Sequence, residues 1–402
     1  MIKVKRKAGS LLCSTTIHSS ADNISECADV DSLFGQHDNK SSKRGEIIMI
    51  KERIISLILA GAAAITVLSA CSDTAADNSS ANSASAPEGT AQTEKITLTN
   101  VSYDPTRELY QKYNETFVDY YKNTYGGDIE IIQSHGGSGS QARSVIEGAQ
   151  ADVVTLALAH DITLIEQSGL IESGWLNEFD LSSSPYTSTI VFLVRKGNPK
   201  QLNDWDDLTK QGVEIINPDP KSSGGACWNF LAAWKYALDK NGNDGEKAKE
   251  FVRKLYANVT VMDSGARGAT TTFVENGQGD VLIAWENEAI NSVKEYPNDY
   301  EIVTPSISIL AQPSVAIVDT NAKKNGTADA AKIYLEYLYS DEAQKIIGEN
   351  GYRPTNEEIL KSFSDKFDLN VNLCTIDDFG GWDAAYETFF DDGAIFDEIY
   401  DY

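Results

Sequence analysis

From Lys95 onward, short apolar segments alternate with segments whose apolar residues recur every three to four positions. The first pattern is typical of buried β-strands and the second of amphipathic helices. The stretch ADVVTLAL at 151–158 is nearly all apolar, as expected of a strand that is covered on both faces. Strands that alternate with helices predict βαβ units, and we therefore expect an α/β fold.

The predicted elements follow this alternation to the end of the chain. Strands are expected at 96–102, 129–134, 151–158 and 188–199, within 212–220, at the starts of 259–277 and 280–290, and twice within 301–319. Helices are expected after Asp104-Pro105, in 136–150, in 228–238, at the ends of 259–277 and 280–290, and in 328–351. Asp is a preferred N-cap and Pro suits the first helical position, so Asp104 is predicted to cap its helix.

Charge and length restrict the partners. The 402 residues include 34 Lys and Arg against 60 Asp and Glu, a net charge of −26. Such an acidic excess argues against nucleic acid as the main partner. A chain of this length also exceeds the usual size of one domain, so we expect two or more.

Cysteine and histidine give no sign of a metal site. The five cysteines and four histidines form no CxxC, HxxxH or HExxH pattern. We therefore expect no metal and no cofactor.

The segment 49–70 resembles a lipoprotein signal peptide. Lys51 and Arg53 precede the uncharged run 54–70, and the last residues, Leu-Ser-Ala before Cys71, resemble a lipobox. In bacterial lipoproteins this cysteine receives the lipid, so Cys71 is the expected attachment site. The alternative is a single transmembrane helix, because 17 uncharged residues lie at the lower limit for spanning.

The flanks of this segment are polar. Residues 72–93 contain no aromatic residue and no Val, Ile or Leu, so 71–94 is predicted to be a flexible tether. Residues 1–48 would be an unusually long extension before a signal peptide. We interpret Met49 as the translation start, with 1–48 a misassigned start; the alternative is an extension that is removed with the signal.

Small, hydrogen-bonding residues occupy four of the predicted strand-to-helix junctions. The junctions are Ser102–Pro105, Gly136–Ser140, Ser222–Gly225 and Ser264–Gly268. The first N–H groups of a helix lack intrahelical partners and, with the helix dipole, favour anions. Strands of an open α/β sheet bring their carboxyl ends to one crevice, so the four junctions together predict an anion site.

Each junction alone is more often an ordinary loop, and enzymatic alternatives have less support. None is followed by GK[ST] as in a Walker A loop, and none contains GxSxG. Only two histidines follow residue 95, which leaves an α/β hydrolase with few candidate bases. Arg267 is the one basic residue inside the four junctions, so the predicted site is dipolar rather than ionic.

Several long segments resemble the sulfate-binding proteins of bacterial ABC importers. They include NVSYDPTRELY (100–110), QSHGGSGSQ (133–141), SSGGACWNFLAAW (222–234) and SGARGATTTFVENGQGDVLIAWENEA (264–289). The resemblance covers 95–402 and implies a two-lobed type II solute-binding-protein fold with a ligand cleft between the lobes. It implies no enzymatic activity.

The resemblance also implies the site residues. The expected donors to a dehydrated anion are the backbone N–H groups of Asp104, Gly224, Gly225 and Ala266, the hydroxyls of Ser138 and Ser223, and the indole of Trp285. His135 is expected to orient the Ser138 loop and Arg267 to support the site from outside. The chain departs from the family at Ser140 and Cys227, where a basic residue is expected. Cys227 and Cys374 are expected to be free thiols, with a disulfide between them as the alternative.

Donor-only chemistry favours sulfate over phosphate, because phosphate near neutral pH carries a proton that needs an acceptor. An unmatched buried polar group costs about 1–3 kcal/mol. An inward-pointing Asp104 carboxylate would weaken this argument. The resemblance therefore implies sulfate or thiosulfate as the ligand, with molybdate, tungstate and phosphate as alternative ligands.

We expect the first lobe to comprise 95–190 and 307–402 and the second to comprise 191–306, with crossings near 190–194 and 303–307. The resemblance implies that the anion bridges the lobes, favours closure and is delivered to a membrane permease. It further implies an extracytoplasmic, lipid-anchored protein, which we expect to be a monomer.

Overall fold

The structure is a computed structural model that describes residues 95–400. The predictions for the extension 1–48, the signal segment 49–70 and the tether with Cys71 lie outside the described residues. Among the described residues, no helix combines the length and the apolar character needed to cross a membrane.

The alternation predicted from the sequence is confirmed. Within residues 95–400 there are thirteen strands: β1 Ile96–Tyr103, β2 Ile129–Gly136, β3 Val153–Leu156, β4 Tyr186–Thr187, β5 Ile190–Arg195, β6 Ile215–Pro218, β7 Val259–Asp263, β8 Val281–Trp285, β9 Tyr300–Val303, β10 Ser308–Ile309, β11 Ser314–Ile317, β12 Arg353–Pro354 and β13 Leu373–Cys374. The longer helices are α1 Arg107–Tyr125, α2 Ser138–Ile146, α3 Ala159–Gln167, α4 Gly224–Lys240, α5 Gly245–Tyr256, α6 Ala266–Val274, α7 Glu286–Glu295, α8 Asp319–Asn325, α9 Ala328–Tyr337, α10 Asp341–Glu349, α11 Glu357–Ser362, α12 Trp382–Phe389 and α13 Ile395–Ile399.

Two helices differ from their predictions, one in its continuity and one in its N-terminal cap. The segment 328–351 forms two helices, because the Ser340 hydroxyl accepts a hydrogen bond from the N–H of Ala343 and starts α10 anew. The prediction that Asp104 caps its helix is wrong. A 3₁₀ turn at Asp104–Thr106 comes first, and neither its N-cap Tyr103 nor that of α1 makes a side-chain capping bond.

A four-stranded sheet forms the base of what we call the first lobe. Its strand order is β11-β3-β1-β2, with β1 parallel to β2 and β3, and β11 antiparallel to β3. β3 is buried along its whole length, as its apolar sequence predicts. The junctions that follow β1 and β2 therefore leave the same edge of this sheet.

A five-stranded sheet forms the base of the second lobe. Its strand order is β7-β6-β8-β5-β9, and β6 runs parallel to β7 and β8. α4 follows β6, α6 follows β7 and α7 follows β8, so three helices begin at one edge of this sheet. The predicted junctions Ser222–Gly225 and Ser264–Gly268 lie at this edge.

Short strands connect the lobes. β4 pairs with β12, and β10 pairs with β13, while Ser188 and Ala311 form an isolated bridge between the two crossing segments. β5 belongs entirely to the second sheet, so the chain crosses just before Ile190.

The C-terminal segment makes aromatic contacts with elements of both lobes. The indole of Trp382 packs edge-on to Trp228 of α4, and Phe396 contacts Phe230 and Tyr256 in the second lobe. On its other side α12 reaches the first lobe, where Tyr386 stacks on His160 at 3.7 Å. Aromatic packing thus brings the tail into contact with both lobes, and the assignment of 307–402 to the first lobe stays a prediction.

Candidate functional site

The four junctions lie next to one another where the two lobes meet. A Cβ atom placed on Gly137 would lie 2.6 Å from the carbonyl oxygen of Ser222 and 2.9 Å from that of Ser264. The Ser222 hydroxyl also donates to the Ser264 carbonyl at 3.0 Å. Because both oxygens belong to the backbone, only glycine at 137 allows the lobes to approach this closely.

The start of α4 packs as tightly against the first lobe. A Cβ atom on Gly224 would lie 2.8 Å from Cγ of Leu158, 3.0 Å from Cβ of Ser138 and 3.1 Å from Cβ of Ala157. Gly224 and Gly225 are the first two residues of α4, so their N–H groups have no intrahelical acceptor. The N-cap Ser223 is buried and its side chain makes no capping bond, which leaves the hydroxyl for another partner.

The carboxylate of Asp104 lies at the start of α6. A Cβ atom on Gly265 would collide with Oδ2 of Asp104 and would lie 3.8 Å from Cα of Gly137. Burial raises the pKa of the Asp104 carboxyl, an effect that the Arg107 and Arg267 charges oppose. Gly265 is the N-cap of α6 and Ala266 its first residue, so the carboxylate faces the positive end of that helix. The site therefore contains one acceptor that the donor-only prediction did not include.

The Ser138 hydroxyl already has two protein partners. It donates to Oδ2 of Asp161 at 2.5 Å and accepts a hydrogen bond from the N–H of Ala157 at 3.0 Å. Sequence reasoning missed Asp161, which lies on α3, outside every predicted junction. No motif marks this residue in the sequence, and its burial is visible only in the structure.

The Trp285 indole also has a partner. Its N–H donates to the carbonyl oxygen of Gly225 at 3.1 Å, and its ring lies 5.4 Å from that of Tyr103. A cavity of about 10 Å³ lies beside it and is lined by Ala266 and Trp285 among others. This volume holds at most about one water molecule. An anion that accepts from the indole must therefore displace the Gly225 carbonyl.

Arg267 bridges the two lobes. One of its terminal nitrogens lies 2.6 Å from a carboxylate oxygen of Glu108 on α1 and 3.0 Å from one of Glu288 on α7. Burial opposes the charge on Arg267, but the Coulomb attraction of Glu288 and Glu108 outweighs it and raises the pKa. The guanidinium is thus paired with one carboxylate from each lobe. The expectation that Arg267 supports the site from outside stays a prediction. Neither glutamate was predicted.

His135 supplies no countercharge. Burial, followed by repulsion from Arg107, lowers its pKa to about 4, so the ring is neutral near pH 7. Its Nδ1 is buried without a hydrogen-bond partner. The expectation that His135 orients the Ser138 loop stays a prediction.

The two departures from the family pattern are neutral. The Ser140 hydroxyl accepts a hydrogen bond from Arg143 at 3.3 Å, and Cys227 is buried with its thiol 3.4 Å from the Pro220 carbonyl. Burial raises the pKa of the Cys227 thiol well above its usual value. Cys227 and Cys374 are both free, so the alternative of a disulfide between them is wrong.

Hydrogen-bond donors predominate at the site, with the Asp104 carboxylate as an acceptor beside them. The starts of α2, α4 and α6 lie next to one another, and the first N–H groups of a helix have no intrahelical acceptor. In residues 95–400 no cluster of His, Cys, Asp and Glu could hold a metal ion. Such an arrangement can desolvate and hold an oxyanion between two bodies.

Comparisons with known proteins agree with this geometry. The sequence model of a family described as bacterial extracellular solute-binding protein matches residues 99–353. The sulfate-binding protein of Escherichia coli is 57% identical over 306 residues, which cover 76% of this chain and 93% of that protein. The thiosulfate-binding protein of Pseudomonas aeruginosa is 48% identical over 306 residues, or 75% and 92% of the two chains.

A solved structure shows the same fold. The sulfate-binding protein SubI of Mycobacterium tuberculosis superposes with a TM-score of 0.65 at 32% identity, covering 74% of this chain and all of that one. These relatives are binding proteins and not enzymes, which removes the hydrolase alternative. The chain therefore belongs to the bacterial extracellular solute-binding proteins, with sulfate- and thiosulfate-binding proteins among its relatives.

Proposed function

We propose that this protein is the receptor of an ABC importer for sulfate or thiosulfate, which it binds as a dehydrated anion between its two lobes. The observation that carries the proposal is the meeting of four helix-start junctions at one point, with Gly137 against Ser222 and Ser264. The names of its relatives support the same ligands.

The second lobe supplies most of the proposed donors. They are the N–H groups of Gly224, Gly225 and Ala266, the Ser223 hydroxyl and the Trp285 indole, joined from the first lobe by the N–H of Asp104 and the Ser138 hydroxyl. All are donors that an ion with only acceptor oxygens can use. The starts of α4 and α6 add a favourable dipole without a countercharge.

Closure follows from the division of donors between the lobes. An anion that contacts both lobes binds the closed state better than the open state, and this difference shifts the equilibrium toward closure. The Arg267 bridge to Glu108 adds an attraction that exists only when the lobes are together. The closed form is the state that a permease would recognise.

Asp104 bears on the choice of anion. Its carboxylate lies against Gly265 at the start of α6, and it can accept the proton of a hydrogen-bearing anion. Phosphate is therefore a specific competitor in this chain, and the test must include it.

The location proposed for the receptor is the outer face of the cell membrane. The lipobox-like Leu-Ser-Ala before Cys71 supports attachment through lipid on that cysteine, and the residues to 94 would form the tether. We propose that the receptor acts as a monomer.

Isothermal titration calorimetry of the purified protein with sulfate, thiosulfate, phosphate and molybdate tests the ligand. We expect sulfate or thiosulfate to bind with a Kd far below 1 mM. A Kd of 1 mM itself corresponds to a binding free energy of about −4 kcal/mol. Failure of both to bind at millimolar concentration would exclude the proposal. Labelling with a radioactive fatty acid, compared with a Cys71→Ser variant, tests the anchor.

A further inference from the structure

Two side chains of the second lobe donate hydrogen bonds to backbone carbonyls of the first lobe. The Trp228 indole on α4 donates to the Ala157 carbonyl at 3.0 Å, and the Asn287 amide on α7 donates to the Pro105 carbonyl at 3.1 Å. Both donors are completely buried. Neither is among the proposed contacts of the anion, so the proposed function leaves both bonds without a role.

Each acceptor lies next to a first-lobe group at the site. Pro105 follows Asp104, whose N–H is a proposed donor to the anion. Ala157 follows β3, and its N–H donates to the side chain of Ser138 at 3.0 Å, at the start of α2. A second-lobe donor that holds one of these carbonyls therefore also holds the neighbouring junction in place.

The Asn287 amide fits the closed cleft in one orientation. Its Oδ1 is buried and has no hydrogen-bond partner among the described residues. If the amide turned over, Oδ1 would face the Pro105 carbonyl, which is also an acceptor, and the Nδ2 hydrogens would lose their partner. The bond from Nδ2 is thus what favours burial of this side chain between the lobes.

The Trp228 indole also depends on the opposite lobe. Its ring packs edge-on to Trp382 at 4.6 Å, which leaves the N–H directed at the Ala157 carbonyl. An indole N–H is a donor only, and a buried donor without an acceptor is costly. Separation of the lobes removes the carbonyl and lets water take its place, so the bond contributes its modest net value to the closed state.

We propose that Trp228 and Asn287 are positioning residues that stabilise the closed cleft without touching the anion. Their bonds form only while the lobes are together, so they strengthen the binding of every anion by the same factor. A residue that contacts the ligand would instead change the preference between anions. The inference rests on the proposed function, because closure around an anion is what links these bonds to affinity.

Isothermal titration calorimetry of the purified protein with sulfate, thiosulfate and selenate tests the inference. Trp228→Phe keeps an aromatic ring but removes the donor, and it should weaken binding about fivefold, the worth of one neutral hydrogen bond. Asn287→Asp has the same shape but places an acceptor oxygen against the Pro105 carbonyl, so we expect a loss of about tenfold or more. In each variant the factor should be the same for every anion that the wild-type protein binds.

Matched controls lose the same kind of bond away from the cleft. The Asn321 amide donates to the Ala151 carbonyl at 2.9 Å within the first lobe. The buried Trp205 indole donates to the Ile307 carbonyl at 2.8 Å, beside a crossing between the lobes. Asn321→Asp and Trp205→Phe should lower the unfolding temperature but leave the dissociation constants near their wild-type values.

The outcomes separate the two proposals. Unchanged affinity in both cleft variants, with normal binding by the wild-type protein, would overturn this inference and leave the receptor function intact. Losses that differ between anions would mean contact with the ligand, and equal losses in the controls would mean general destabilisation; either result overturns the inference. No anion binding by the wild-type protein would overturn the proposed function and this inference with it. If one cleft variant fails to fold, the other decides.

Discussion

Replacing Gly137 by alanine should block closure of the two lobes while leaving each lobe intact. The backbone of Gly137 has φ −57 and ψ 135, which alanine adopts without strain. The added methyl group would meet the carbonyl oxygens of Ser222 and Ser264 at 2.6 and 2.9 Å. Both belong to the opposite lobe, so the clash exists only when the cleft is closed.

The size of the effect follows from these distances. An ordinary contact of this kind begins near 3.4 Å, so the second lobe must retreat by about 0.8 Å at Ser222. Hydrogen bonds that lengthen by that amount from about 2.9 Å leave the effective range. Losing one or two bonds to a charged ligand, at about 1.5–3 kcal/mol each, removes about 3 kcal/mol. That is roughly a hundredfold loss of affinity.

Calorimetry and thermal unfolding check the prediction together. The Gly137→Ala protein should unfold at the wild-type temperature without ligand but gain far less stability from sulfate, since ligand stabilisation follows affinity. Gly139→Ala is the matched control in the same loop, because its methyl group would meet Arg143, Asp161 and Ser222 atoms only at 3.6–3.7 Å.

Wild-type sulfate affinity in the Gly137→Ala protein would refute the reasoning, because it would mean that the anion binds without this approach of the lobes. An equal loss of affinity in Gly139→Ala would point to the loop as a whole and refute it as well.

Three further predictions concern single side chains. Ser223→Ala should weaken sulfate binding by about 1.5–3 kcal/mol, the worth of a hydrogen bond to a charged group, without lowering the thermal stability of the empty protein, because Ser223 does not cap α4. Arg267→Met should lower the free energy of unfolding by about 3–5 kcal/mol in urea titrations, since it leaves the buried Glu288 charge unpaired, whereas Arg107→Met should change it by under about 1 kcal/mol. Asp161→Asn should remove a pH-dependent loss of stability. The carboxyl pKa is near 3.8 unfolded and about 6 folded, so the folded state binds more protons and wild-type stability falls by about 3 kcal/mol between pH 4 and 6 relative to the variant.

Local patterns predicted the fold well, because the strands are buried and the helices have one apolar face. The predicted ends of β1, β2 and β3 lie within two residues of the observed ends. The prediction that the junctions at Gly137, Ser223 and Ala266 lie close together is also confirmed. Both results depend on interactions close in sequence and on a general rule of sheet topology.

What the sequence missed depends on contacts between distant segments. Asp104 is a good N-cap in isolation, but the tertiary fold places its carboxylate at the start of a different helix, beside Gly265. Asp161 and Glu288 lie on helices with no motif, and only the assembled structure brings them to Ser138 and Arg267. The return of the C-terminal aromatic residues to the second lobe is likewise a matter of long-range packing.

A crystal structure of the protein with one equivalent of selenate, located by its anomalous scattering, tests the central claim most directly. We predict a single selenate at the meeting point of the four junctions, within hydrogen-bond distance of the N–H groups of Gly224 and Ala266. The Trp285 indole should have left the Gly225 carbonyl to donate to the anion. Selenate bound elsewhere, or bound here while the indole still donates to Gly225 and Ser138 to Asp161, would contradict the account.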